Sequence, residues 1–122
     1  MTTATLFSSV PANQNQAGPP VPANTVVNAG AVVTRAVLSL TVTPSTGWAS
    51  AAVNWGPDGV NYPGQATIYE APTGTGTTNQ TLHLHGGLLE PNAGSAPDGA
   101  QYFKAEALNV SPGATATLTV TY

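Results

Sequence analysis

The sequence predicts an all-β fold: an antiparallel Ig-like or jelly-roll-like β-sandwich of about six to eight strands, with an extended N-terminal arm. Three observations carry this reading. Apolar residues recur with a period of two in several separate stretches, and no stretch keeps a helical period. Glycine and proline, 13 and 11 residues, break the chain between those stretches. At 122 residues with no cysteine, the chain is one domain that builds its core without disulfides or thiolate metal sites.

The elements follow in order. Residues 4–10 alternate weakly and form either a first strand or an arm. Residues 11–24 hold four prolines, which remove backbone donors and fix φ, so an extended path is expected. We therefore divide the chain into an arm and Pro-rich linker, 1–24, and a sandwich, 25–122. From Ala31 the pattern turns β. Ala36, Leu38, Leu40 and Val42 share one face of a strand, and Arg35, Val37, Ser39 and Thr41 the other.

Pro44-Ser45-Thr46-Gly47 ends that strand. Ala49, Ala51, Val53 and Trp55 then alternate with Ser50, Ala52 and Asn54. Gly56-Pro57-Asp58-Gly59 is a turn, since proline presets φ and Asp-Gly tolerates left-handed backbone. Ala66, Ile68 and Glu70 oppose Thr67 and Tyr69 in the next strand. Residues 71–79 read as a loop, Leu82 and Leu84 alternate with Thr81, His83 and His85, and residues 86–99 read as a second long loop. Ala100 to Leu108 is a strand, Ser111-Pro112-Gly113 a turn, and the last strand sets Ala114, Ala116, Leu118, Val120 and Tyr122 against Thr115, Thr117, Thr119 and Thr121.

Charge is scarce. Arg35, Lys104, Asp58, Asp98, Glu70, Glu90 and Glu106 are the only ionised side chains, 6% of residues where about 25% is usual. Surface charge keeps molecules apart in solution, so its omission points to a chain that works against neighbours in an assembly. Two basic residues cannot neutralise a phosphate backbone or an anionic bilayer, which argues against nucleic acid and membrane partners. No segment reaches a membrane span of roughly 18 apolar residues, and the N-terminus carries no signal-peptide pattern.

Little in the sequence suggests chemistry. His83 and His85, two apart on a strand, point to one face and form half of a metal site that Glu70 or Glu90 would have to complete; a polar face is the simpler reading. Asp58 and Asp98 each follow proline and precede glycine, which is turn chemistry. No nucleophile or phosphate-loop motif occurs. No enzyme activity and no cofactor are expected. The Asn79-Gln80-Thr81 sequon reads as an ordinary polar segment.

The hairpin from Ala51 to Tyr62, with Asn54-Trp55-Gly56-Pro57-Asp58-Gly59-Val60-Asn61-Tyr62 at its tip, resembles an element of virion sandwich proteins and of discoidin-like carbohydrate-binding modules. The closing stretch Val110 to Val120 is similar to the end of bacterial Ig-like and phage structural domains. With the Ala/Thr/Gly/Pro/Asn-rich composition, the chain resembles the head decoration (cement) proteins of tailed bacteriophages. That resemblance implies a place on the capsid exterior of a virion, where many copies, commonly homotrimers, bind the major capsid protein and one another and stabilise its lattice. Leu6, Phe7 and Val10 would then reach a neighbouring subunit on the arm, with Trp48 and Tyr62 as further partner contacts, and deletion of residues 1–10 would leave the sandwich folded. The alternative is a carbohydrate-binding adhesin module of a phage tail or cell surface, in which Trp48 and Tyr62 stack on sugar rings and Asn54 and Asp58 supply hydrogen bonds.

Overall fold

The computed structural model describes residues 1–13, 16, 18, 20, 25–84 and 99–122. These form eight strands: β1 (Thr3–Pro11), β2 (Val26–Val33), β3 (Arg35–Thr43), β4 (Ala49–Gly56), β5 (Gly64–Glu70), β6 (Thr77–His83), β7 (Ala100–Val110) and β8 (Thr115–Thr121). They make two antiparallel four-stranded sheets. The front sheet runs β1-β8-β3-β6 and the back sheet β2-β7-β4-β5. No helix occurs among the described residues.

The pairing is nested. β4 pairs with β5, β3 with β6, β2 with β7 and β1 with β8. The chain is thus one long hairpin with its tip at the β4–β5 turn, folded over so that successive strand pairs fall alternately in the back and front sheets. Of the two sandwich types the sequence allows, this is the jelly roll.

Alternation builds the core. Ala36, Leu38, Leu40 and Val42 of β3 and Ala116, Leu118 and Val120 of β8 point inward from the front sheet. Ala49, Ala51, Val53 and Trp55 of β4 and Phe103, Ala105 and Ala107 of β7 meet them from the back. Each fully buried large apolar side chain stabilises the fold by about 1.5–3 kcal/mol. The β7 alternation breaks once: the register against β4 shifts between Ser50 and Ala51, so that Ala107 and Asn109 are partnered and Leu108 is the extra residue. The Trp55 ring is fully buried, and its Nε1 meets no acceptor among the described residues.

The first eleven residues do not stand apart as the arm expected of them. Residues 3–11 are β1, hydrogen-bonded to β8 of the same chain, with Thr3 opposite Thr121 and Val10 opposite Ala116. Leu6 and Phe7 are both buried in the core, and Val10 packs against it. The physical reason is visible in the register. A shift between Thr5 and Phe7 turns two successive side chains inward, which hides the period of two from the sequence and gives the core two large side chains. The Pro-rich stretch lies mostly outside the described residues; Gly18 bridges to Val110. Two further boundaries move: β2 begins at Val26, ahead of Ala31, and β6 begins at Thr77, inside the stretch read as a loop.

Candidate functional site: the outer face of the front sheet

Register decides what the front sheet shows to its surroundings. Thr3, Thr121, Val37 and Thr81 lie in one row across the four strands. Thr5, Thr119, Ser39 and Asn79 form the next. Thr117, Thr41 and Thr77 form a third, and Thr115 and Thr43 a fourth. All these side chains alternate with the buried ones, so they share the outer face. Hydroxyls bond across the strands: Thr3 Oγ1 to Thr121 Oγ1 at 2.9 Å, Ser39 Oγ donating to Asn79 Oδ1 at 2.5 Å, and Thr41 Oγ1 to Thr77 Oγ1 at 3.1 Å. The Ser9 amide donates to Thr117 Oγ1 at 3.0 Å. These bonds fix the hydroxyls as a preordered layer.

The face carries no ionised group within those rows. Arg35 opposite His83 sits at one end of it. The back sheet differs: Lys104 and Glu106 of β7 are both exposed on its outer face, and Lys104 Nζ lies 5.8 Å from the centroid of the Tyr62 ring, within cation–π range. Front and back are therefore chemically distinct surfaces. A neutral hydroxyl both donates and accepts, and burying one against another costs far less than burying a charge. The front face is suited to contact with another uncharged surface, directly or through water.

The partner residues expected from the sequence do not come together. Leu6 and Phe7 are core. Trp48 is half-buried just before β4, its amide donating to Ser111 Oγ at 2.9 Å. Tyr62 lies beyond the other end of β4, its hydroxyl donating to the Gly59 carbonyl at 3.2 Å. An eight-residue strand spans about 25 Å, so Trp48 and Tyr62 cannot flank one sugar ring. Asn54 and Asp58 do not share a site with both of them for the same reason.

Asp58 is a turn residue. The Asn61 and Val60 amides donate to its Oδ1 at 2.8 and 2.9 Å, and these bonds hold its carboxyl below the ordinary carboxylate range. Gly56 is required here, because a Cβ would stand 1.8 Å from the Asn61 carbonyl oxygen. His83 is exposed at the end of β6; His85, Glu90 and Asp98 lie outside the described residues. Among the described residues, no three His, Asp or Glu side chains gather as a metal site would require. Glu70 is buried and accepts the Thr78 hydroxyl at 2.7 Å, an arrangement that ties β5 to β6.

The hydroxyl face was only partly within reach of sequence reasoning. The threonine row of β8 is plain in the sequence, but its continuation into β1, β3 and β6 depends on pairings between residues up to 118 positions apart.

No protein-family model matches the chain, and no curated protein matches it. Solved structures resemble it in fold. One is the structure of infectious bursal disease virus Gx strain, 11% identical with a TM-score of 0.47. The match covers 98% of this chain and 31% of that one. Another is a picornavirus capsid, from a massively expanded equine rhinitis A virus particle, at 8% identity and a TM-score of 0.48, covering 98% of this chain and 71% of that one. A third is a family two carbohydrate esterase from Cellvibrio japonicus, at 13% identity and a TM-score of 0.40, covering 98% and 32%. This chain spans about a third of the length of the first and third of these. At such identities the likeness is one of β-sandwich fold and goes no further.

Proposed function

We propose that this chain is a non-enzymatic structural protein of a virion, which lies on the outside of a bacteriophage capsid and stabilises the major capsid protein lattice. The observation that carries the reading is the outer face of the front sheet: threonine, serine and asparagine with a single apolar residue, Val37, in rows across the strands, free of ionised groups within those rows. Such a face buries against a neutral partner without stripping water from charges. Copies set side by side do not repel one another, and attachment does not hang on ionic strength. Jelly rolls serve as capsid domains, lectins and cupins, and fold alone does not choose among them. Trp55, Phe103 and Leu118 are fully buried between the sheets, where a cupin would hold its site. The separation of Trp48 from Tyr62 removes the sugar platform considered from the sequence.

The test is copurification. Purified tailed-phage virions from the source of the chain are banded in a density gradient and probed for it. The chain is expected to band with intact particles and to raise their resistance to heat. Ser39→Lys with Thr119→Lys, which places two cations on the front face, is expected to release it while leaving the fold intact by circular dichroism. A chain absent from the particles, or one bound equally well with the two lysines, overturns the reading.

A further inference from the structure

The four edge strands of the sandwich are not treated alike. β1 is blunted: its register shifts twice, Ser9 sits at φ 52°, and it ends on Pro11. β2 is blunted too: Gly30 at φ 80° interrupts it, and its pairing with β7 breaks between Asn28 and Val33. Bulges, prolines and charges are the usual devices that keep an open edge from pairing with another chain. β5 and β6 have neither bulge nor proline, and Glu70 at the end of β5 is their one ionisable carboxyl. β5 pairs with β4 over seven successive residues without a shift, and β6 pairs with β3 in the same unbroken way. Neither contains proline or lysine. The exposed residues are Gln65, Thr67 and Tyr69 on β5 and Thr77, Asn79, Thr81 and His83 on β6. Glu70, the one carboxylate, is turned in and bonded to Thr78.

These two open edges lie on the same side of the molecule, each at the end of its sheet, and the Thr78–Glu70 hydrogen bond joins them. Among the described residues no strand lies outside either one.

We infer that this side is the seat of a second copy of the chain, paired about a two-fold axis so that β6 adds to β6 and β5 to β5 of the partner. A single extended peptide fills one edge only. A second sandwich offers two regular edges at the same inter-sheet spacing, about 10 Å. A two-fold axis along the sheet normal makes both new pairs antiparallel, and such an interface is self-complementary. Centred on Gln80, the middle of β6, it sets Asn79 against Thr81 and His83 against Thr77, so that no two cations or carboxylates face each other. The result is a continuous pair of eight-stranded sheets with an enlarged hydroxyl face. This pairing stands whether or not the capsid reading does.

Sedimentation of the full chain across micromolar concentrations tests it. The expected species has twice the chain mass. Asn79→Lys with Thr81→Lys sets like charges opposite each other twice about the axis and is expected to raise the dissociation constant roughly tenfold. Val32→Lys, on the blunted β2 edge, is expected to leave it unchanged. Hydrogen exchange of the unaltered chain gives a second readout that needs no variant: β5 and β6 amides slow as concentration rises, and β1 and β2 amides do not. A monomer at every concentration, a trimer, a pair that survives both lysines, or protection confined to β1 and β2 overturns the inference.

Discussion

Trp48 and Ser111 are hydrogen-bonded to each other twice: the Trp48 amide donates to Ser111 Oγ at 2.9 Å, and the Ser111 amide donates to the Trp48 carbonyl at 2.8 Å. The pair locks the β3–β4 connection to the β7–β8 turn, and Ser111 is buried there. Gly47 completes the lock, since a Cβ would meet Ser111 Oγ and Ala114 Cβ, each at 2.8 Å. Ser111→Ala leaves the Trp48 amide without its acceptor in a poorly hydrated place, which costs about 1–3 kcal/mol. Urea unfolding is expected to show a lower midpoint with an unchanged slope.

β1 is part of the core, so its loss is a loss of stability. Leu6→Ala is expected to cost about 2–5 kcal/mol, as for other large-to-small core changes. Deleting residues 1–11 removes Leu6 and Phe7 together and bares the edge of β8. The truncated chain is expected to unfold at markedly lower temperature by calorimetry, or to be recovered unfolded. This reverses the expectation drawn from the sequence, in which the first ten residues were dispensable to the body.

The contrast marks where the sequence is legible. β3, β4 and β8 read clearly because their inward residues are apolar and strictly alternate. β1 was obscured by a bulge that buries Leu6 and Phe7 side by side. β2 is hidden in the sequence because Val27 alone is buried between Val26 and Asn28, with Gly30 breaking the run. The start of β6 is hidden because its inward positions Thr78 and Gln80 are polar and only half-buried. The hydroxyl face was readable one strand at a time, but its extent is a property of register, and register comes from contacts distant in sequence.

Asp58 makes stability fall in acid. Its folded pKa lies below the ordinary value because the Asn61 and Val60 amides bond the ionised carboxylate. Such a group contributes fully above its unfolded-chain pKa, near 3.9, and the contribution is lost as pH falls through the folded value. Asp58→Asn keeps the turn's acceptor but does not titrate. Its unfolding midpoint is expected to decline less than that of the unaltered chain as pH is lowered through that range, and to differ little from it at neutral pH.

Salt is expected to matter little. With Arg35, Lys104, Asp58 and Glu106 as the ionised exposed groups among the described residues, screening has few interactions to weaken. The urea midpoint is expected to hold steady as sodium chloride is raised from low to molar concentration. A large shift would mean that ionic contacts carry stability that the geometry does not assign to them.

The nesting of strands also sets an order of events during synthesis. Thr3 meets Thr121 in the folded molecule, so β1 has no berth until β8 has been made. Leu6 and Phe7 therefore stay bare while β2 to β7 are made, whereas β4 has its hairpin partner β5 at once. Until β8 is made, those two side chains have no core to enter, and the unfinished sandwich shows more apolar surface than the finished one.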